Sequence, residues 1–228
     1  MPVVVRLRSA VCLLDRFPAL AGVDLDVAER EILLVSGANG AGKTTLLRLV
    51  AGLVPLQSGT AEVLGHDLAV DRTGARRDLA LVGHDTFCYD DLTVRENLRF
   101  AARAARRPVA ACEAAMERLG LTRVAAVTHA RLSAGQRKRL ALAVALTRDP
   151  RLLVLDEPHA GLDAKGREVL DAVVAAAPSE GRTVVLVSHE VDRARTLASR
   201  EVVLHAGRAV GVAPAAGIQT SSTSAVRA

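Results

Sequence analysis

The sequence is nearly devoid of aromatic residues and contains no tryptophan. Aromatics make up 2% of the 228 residues, with three Phe and one Tyr, yet hydrophobic residues make up 50%. The core must therefore be built mainly from Ala, Leu and Val, which favours helices packed on a buried sheet. The length suits one α/β domain, with at most a subdomain.

Cysteine and long apolar runs are also scarce. Cys12, Cys88 and Cys112 lie far apart without a C-x-x-C spacing, so neither a disulfide framework nor a zinc site is supported. This usage is compatible with a reducing cytoplasm. No apolar run reaches the ~18 to 20 residues that span a bilayer, and the first residues are too short and too charged to form a signal peptide. We expect any membrane role to come through a partner.

The charge balance is mildly basic, with a net charge of +5 and many Arg. Such a balance could serve nucleic acid or an anionic membrane surface. A solvated basic surface is the more frequent explanation, and we expect no nucleic-acid partner.

A glycine-rich stretch at residues 37–45 organises the chain. It follows an apolar run at 32–35 that predicts a buried strand and precedes a run at 46–51 that predicts a helix. Glycines let the loop backbone approach a ligand, so that its N–H groups converge on phosphate oxygens at the helix N-terminus. Lys43 would place its charge between the β- and γ-phosphates, and Thr44 would offer its hydroxyl to Mg²⁺. The predicted nucleotide-binding residues of this stretch are Gly37, Ala38, Asn39, Gly40, Ala41, Gly42, Lys43, Thr44 and Thr45.

Two carboxylates follow a second apolar run, at residues 152–155. Alternation along a strand would send the side chains of Asp156 and Glu157 in different directions. Asp156 could then hold Mg²⁺ through the water shell of the metal, and Glu157 could polarise a water at the γ-phosphate. Two solvated acids capping a strand are the alternative, but the phosphate loop upstream favours the catalytic interpretation.

The remaining periodicity predicts an α/β chain interrupted by helices. We expect a helical insertion over about 84–149, and no stable structure from about 213, where Ala, Ser, Thr and Gly dominate. Predicted strands cover 3–8, 23–35, 60–64, 79–82, 151–155, 183–187 and 201–205. Predicted helices begin at Thr93, Pro108 and Ser133 within the insertion, and cover about 164–176 and 190–199 later.

Residues 132–136 read Leu-Ser-Ala-Gly-Gln. Ser133 suits a helix N-cap and Gly135 leaves the backbone open, so this helix end could face an anion. Together with the phosphate loop and the two acids, this motif resembles the signature of ABC transporter ATP-binding subunits. The resemblance covers about residues 3–210. It implies a P-loop NTPase (RecA-like) core with an antiparallel β subdomain and a helical insertion, in one domain over 1–212 followed by a disordered tail.

The resemblance assigns roles residue by residue. It implies that Ser133, Gly135 and Gln136 of one copy face the γ-phosphate of ATP bound to a second copy, in a head-to-tail homodimer that binds ATP and Mg²⁺. Asp163, in Ala-Gly-Leu-Asp, resembles the loop that crosses this interface. The implied catalytic residues are Glu157, the switch histidine His189 and Lys43. Phe17, predicted in the loop between the first strands, would either stack on adenine or fill the core.

The sequence departs from the family pattern at two places. The family normally has a Gln where the core joins the helical insertion. Ungapped counting places His84 there, and a shift by one places Asp85 there, so the implied metal-binding set is Thr44, Asp156 and His84. Arg30 stands where the family usually has Gly, which should affect only local turn geometry.

Within the family, the chain looks most like the heme-exporter ATPase of cytochrome c maturation. The resemblance lies in Gly83-His84 and in residues 91–100, 132–139 and 156–163. It implies a transmembrane permease partner, a cytoplasmic location on the inner face of the cell membrane and a role in heme export. The alternatives are the ATPase of another exporter, for lipid or drug, and a soluble ABC ATPase without a transport role.

Overall fold

Two β-sheets and six α-helices make up the part of the chain that the computed structural model describes, residues 2–83 and 85–214. The strands are β1 Val3–Leu14, β2 Phe17–Ala28, β3 Ile32–Ser36, β4 Ser58–Val63, β5 His66–Asp67, β6 Leu79–Val82, β7 Leu152–Asp156, β8 Thr183–Val187, β9 Arg200–His205 and β10 Arg208–Pro214. The helices are α1 Lys43–Val50, α2 Val94–Ala104, α3 Ala110–Arg118, α4 Ala134–Thr147, α5 Ala164–Ala176 and α6 Val191–Leu197. Short 3₁₀ turns lie at Gly74–Arg77, Thr122–Val124 and His129–Arg131.

The larger sheet has the strand order β10-β9-β3-β8-β7-β6. All neighbours pair in parallel except β10, which is antiparallel to β9 at one edge. Every residue of β3 and β8 is buried, as expected for a parallel sheet covered on both faces. Leu34 and Leu33 illustrate this, because they belong to separate hydrophobic clusters on the two faces. One cluster includes residues of α2–α5, and the other includes α1 and the second sheet.

The parallel arrangement brings the functional segments to one edge of the sheet. The carboxyl ends of β3, β6, β7 and β8 meet there, and the segments beginning at Gly37, Gly83, Asp156 and Ser188 leave from that edge. Open α/β sheets bind ligands in the crevice outside these strand ends. The fold alone therefore places the predicted phosphate loop, the two acids and His189 in one region.

The smaller sheet is antiparallel, with the order β2-β1-β4-β5. Strand β1 extends to Leu14, beyond the predicted end at residue 8, and Phe17 is the first residue of β2 rather than part of a loop. Phe17 is 79% exposed, so the interpretation of Phe17 as a residue that fills the core is wrong. Arg30 takes a φ of +61° in the turn before β3, a conformation that favours glycine.

The predicted helical insertion corresponds to α2, α3 and α4, which lie between β6 and β7. Thr93 and Ser133 are the N-caps of α2 and α4, as the sequence predicts. Strands β5 and β10 were not predicted, and β10 pairs with β9 as far as Pro214. The rest of the predicted tail lies outside the described residues. Within the described residues, no helix combines the length and hydrophobicity needed to cross a membrane.

Candidate functional site

Backbone packing fixes two of the three phosphate-loop glycines. A Cβ on Gly37 would lie 2.2 Å from the Leu204 carbonyl oxygen of β9, and one on Gly42 would lie 2.4 Å from the Ala19 carbonyl oxygen of β2. Gly40 meets no atom within 4 Å, but its φ is +78°. The loop is thus supported from both sheets, while its tip at Gly40 remains open.

The helix after the loop presents a free positive end. Gly42 is the N-cap of α1 and has no side chain to cap it, and the first turn of α1 contains no acidic residue. Unpaired N–H groups and the helix dipole at such an end attract anions. The Lys43 Nζ donates to the carbonyl oxygens of Gly37 at 2.8 Å and Ala38 at 3.0 Å. These contacts hold the lysine across the loop, where an incoming phosphate could replace them.

The two acids leave the end of β7 by different means. Asp156 is the last residue of the strand, whereas Glu157 takes a φ of +50°. Glu157 therefore lies in a left-handed turn beyond the strand, so the strand alternation that the sequence suggested does not apply to it. The Glu157 N–H donates to the Val187 carbonyl oxygen at 2.9 Å, which ties the turn to the end of β8.

Glu157 and His189 are in direct contact. The His189 N–H donates to Glu157 Oε2 at 2.8 Å, and His189 Nε2 lies 3.5 Å from Glu157 Oε1. Oε1 is buried and has no hydrogen-bond partner among the described residues. A buried carboxylate oxygen without a partner is costly unless a ligand or water completes it, so this atom is available to a water.

The oxygens of Thr44 and Asp156 are the hard ligands that Mg²⁺ prefers. In the described residues, no group of three or more His, Cys, Asp or Glu side chains could hold a metal ion by itself. A cation here would take its remaining oxygens from phosphates and water, as Mg²⁺ does in nucleotide sites. The donor set therefore fits Mg²⁺ bound together with a nucleotide. His84 lies outside the described residues, and Asp85 is exposed.

The signature residues form a helix N-terminus beside another loop. The Ser133 Oγ accepts the Gln136 N–H at 3.2 Å, and Gln136 Oε1 accepts the Ser133 N–H at 2.9 Å. A Cβ on Gly135 would lie 3.3 Å from the Gly161 carbonyl oxygen. Two residues after Gly161, Asp163 caps α5 by accepting the Gly166 N–H at 2.8 Å. The start of α4 thus packs closely against the segment that contains Asp163.

Lys138 on α4 is a residue that the sequence reasoning missed. Its Nζ donates to the Gly83 carbonyl oxygen at 2.9 Å. Burial lowers the pKa of Lys138, and the nearby charges of Asp156 and Glu157 oppose this shift. The only sequence signal is a lysine five positions after Ser133, which looks like any solvated helix residue. Lys138 connects the signature helix to the residue that follows β6.

Phe17 is placed on the strand that contacts the phosphate loop. It begins β2, two residues before Ala19, whose carbonyl oxygen lies against Gly42. An exposed ring on this strand could stack on a base, so adenine stacking stays a prediction.

Comparison with known proteins identifies the family. Residues 20–160 match the family described as ABC transporter. The cytochrome c biogenesis ATP-binding export protein CcmA of Bordetella bronchiseptica is 43% identical over 169 residues, which cover 73% of this chain and 75% of that protein. The daunorubicin resistance ATP-binding protein DrrA3 of Streptomyces coeruleorubidus is 39% identical over 197 residues, covering 84% of this chain and 62% of DrrA3.

Solved structures share the fold. A structure described as the ATP-binding subunit of an ABC transporter superposes with a TM-score of 0.85 at 26% identity, covering 92% of this chain and 90% of that one. A dimeric ATP-binding cassette bound to ADP and Pi, MJ0796, also has a TM-score of 0.85, at 24% identity, covering 94% of this chain and all of its own. At 24% identity, the similarity to MJ0796 shows only that the two chains share a fold.

Proposed function

The chain belongs to the ABC transporter family and is an ATPase of that family, and we propose that two copies sandwich two Mg-ATP to drive a membrane permease. Each ATP would lie between residues 37–45 of one copy and Ser133–Gln136 of the other. The observation that carries this proposal is that, among the described residues, the α-helices with no acid at the N-cap or in the first turn are α1 and α4. Such ends favour anions, so each chain offers both halves of a phosphate site.

The residues of this chain have separate tasks in hydrolysis. Lys43 would exchange its two loop carbonyls for the β- and γ-phosphates. Thr44 and Asp156 would hold Mg²⁺, which neutralises charge that develops on the phosphates. Glu157 would polarise the attacking water through Oε1, and His189, already 3.5 Å from that oxygen, would orient it. Ser133 of the other copy would add its hydroxyl and the α4 helix end to the γ-phosphate.

A single pair of variants tests the sandwich. Glu157→Gln keeps the shape of the side chain but removes the base, so turnover should fall at least 100-fold, or ~2.7 kcal/mol of barrier. ATP binding should survive, and ATP should shift Glu157→Gln from monomer to dimer in size-exclusion chromatography with light scattering. Adding Ser133→Arg should prevent this shift. If Glu157→Gln retained turnover within about threefold of wild type, Glu157 would not be the residue that polarises the attacking water.

This chain has a groove beside the segment that follows β6, and we propose that the permease binds there. A groove of about 800 Å³ lies between the 3₁₀ turn Gly74–Arg77 and α2. It is lined by three of the four aromatic residues of the chain, Phe87, Tyr89 and Phe100. Each of these side chains is more than half exposed. Exposed aromatic patches rimmed by polar groups mark protein contacts. A permease segment bound here would press on residues 85–92, which continue directly from the nucleotide edge of the sheet.

We assign heme export as the transport role, on the strength of the CcmA relatives. A relative named for daunorubicin resistance matches at 39% identity, so the ATPase of another exporter, for lipid or drug, is the runner-up. This assignment places the protein in the cytoplasm, peripheral on the inner face of the cell membrane.

Co-purification in detergent tests the partner and its identity. The tagged chain should retain a membrane permease, and Phe87→Ser with Phe100→Ser should release it. Val210→Ser is the control, because Val210 is also more than half exposed but lies on β10, away from the groove. Retention of a permease by the double variant would exclude the groove. A captured permease that fails to move heme in vesicles would exclude heme export and leave the ATPase–permease pairing intact.

A further inference from the structure

A buried histidine connects the segment after Glu157 to the segment that contains His189. His159 is 1% exposed. Its Nε2 lies 3.0 Å from Asp171 Oδ1 on α5, and its Nδ1 lies 3.4 Å from the Ser188 Oγ at the end of β8. Both ring nitrogens therefore have partners, and these partners belong to different elements.

The partner on α5 is itself fixed from the other side. Arg193 on α6 donates through Nε to Asp171 Oδ2 at 2.8 Å, and its NH2 lies 2.5 Å from the same oxygen. This contact raises the pKa of Arg193. Asp171 is thus held between α6 and His159, so it is a fixed acceptor for the imidazole.

The chemistry of these partners sets the direction of each hydrogen bond. A carboxylate only accepts, so His159 Nε2 carries the proton toward Asp171. In the neutral ring, Nδ1 is then an acceptor, and the Ser188 hydroxyl donates to it. The Ser188 Oγ in turn accepts the Glu190 N–H at 3.1 Å. The hydrogen bonds run in one direction from the backbone after His189 to the buried imidazole.

This network lies next to the catalytic pair. His159 follows Glu157 by two residues, and Ser188 directly precedes His189. The contact between Glu157 and His189 is partly open to solvent, since their side chains are 27% and 66% exposed. The His159–Ser188 contact lies in the interior, where a fully satisfied polar network holds one arrangement. The His159–Ser188 contact can therefore hold the backbone next to His189 in place. Glu157 and His189 remain free to replace their mutual contact with contacts to ligand and water.

We propose that His159 is a positioning residue for His189, acting through the Ser188 hydroxyl. A residue needed only to fill the core would depend on the volume of the ring. A positioning residue depends on the acceptor at Nδ1. This proposal rests on the role proposed above for His189, and the two can fail separately.

Two amide variants separate the two nitrogens. His159→Asn places its Oδ1 near the position of Nδ1 and so keeps an acceptor for Ser188. His159→Gln places its amide N–H₂ near Nε2 and so keeps the donor to Asp171 but loses that acceptor. We expect kcat within twofold of wild type for His159→Asn and at least a fivefold fall for His159→Gln, about 1 kcal/mol of barrier. KM for ATP should stay within twofold in both, because neither side chain belongs to the phosphate loop.

Ser188→Ala provides an independent measurement with a smaller change of volume. It should lower kcat as His159→Gln does, and the combination of the two should lower it no further. Equal kcat in the Asn and Gln variants, a lower kcat in Asn than in Gln, or an effect on KM alone would overturn the proposal. If neither His159 variant folds in thermal melting, wild-type kcat in Ser188→Ala would overturn it. Loss of turnover in His189→Ala with full turnover in His159→Gln would reject the positioning role alone, and full turnover in His189→Ala would reject the role of His189.

Discussion

Helices α2 and α4 begin with the same hydrogen-bonded device but differ in charge. At the start of α2, the Thr93 Oγ1 accepts the Glu96 N–H at 3.2 Å, and Glu96 Oε2 accepts the Thr93 N–H at 2.8 Å. At the start of α4, Ser133 and Gln136 make the same two contacts at 3.2 and 2.9 Å. The first turn of α2 therefore carries an acid, and that of α4 carries none.

This difference separates a structural helix end from one suited to phosphate. The carboxylate of Glu96 offsets the positive end of the α2 dipole, while the neutral amide of Gln136 completes the cap and leaves the α4 dipole uncompensated. A capping box predicts where a helix starts. The residue at its fourth position decides whether that start can also receive an anion.

The largest expected difference in ATP turnover is between the two variants that place an arginine at the N-cap of α4 or of α2. Ser133→Arg should lower ATP turnover at least 100-fold, ~2.7 kcal/mol of barrier, because a long side chain occupies the space that a second copy's nucleotide needs. ATP binding by the monomer should persist. Thr93→Arg removes the same cap but should leave turnover within twofold, measured by phosphate release. Comparable losses of turnover in both variants would show that α4 is no different from α2.

Exchange of the fourth residue tests the charge alone. Gln136→Glu keeps the capping box and adds a carboxylate beside the proposed γ-phosphate, so turnover should fall about tenfold, ~1.4 kcal/mol. Glu96→Gln makes the reverse exchange on α2 and should leave turnover unchanged. Unchanged turnover in Gln136→Glu would mean that the α4 dipole does not act on phosphate.

The sequence predicted what local pattern encodes. The N-caps Thr93 and Ser133, the buried strands β3 and β8 and the helix at 164–176 follow from the spacing of apolar and polar residues. It did not predict β5, which has two residues, or β10, an edge strand containing Gly211, because such strands owe their pairing to neighbours rather than to their own pattern.

In the candidate site, too, the sequence predicted features set by a local motif and missed features that depend on distant neighbours. The residues of the phosphate loop could be named from their motif, but the left-handed turn at Glu157 could not, because a non-glycine φ of +50° depends on tertiary support. Lys138 and His159 were missed for a related reason. Each matters through partners more than 20 residues away in the chain, Gly83 for one and Ser188 for the other, and no local spacing signals such contacts.

Alanine at the two N-caps should affect stability alike and function differently. Ser133→Ala and Thr93→Ala each remove one capping hydroxyl, so each should lower the free energy of unfolding by about 1 kcal/mol. This is measured by urea unfolding. Only Ser133→Ala should also slow turnover, by several-fold, because its hydroxyl is proposed to contact phosphate. A turnover defect in Thr93→Ala at temperatures where the protein is fully folded would contradict the separation.

The smallest expected effect is a difference in acid sensitivity between the two helix starts. Hydrogen bonds from the backbone and hydroxyl of Thr93 lower the pKa of Glu96 below its ordinary 4.5. A lowered pKa in the folded state adds stability that is complete above the unfolded value and is lost as the pH falls through the folded one. Gln136 does not titrate, so the α4 cap should be insensitive to acid.

Urea unfolding between pH 6 and 3 should therefore show a shallower loss of stability in Glu96→Gln than in wild type, and a steeper one in Gln136→Glu. Parallel curves for all three proteins would mean that the charge at the fourth position is fully screened by solvent, and the distinction between the two helix ends would then rest on Ser133 alone.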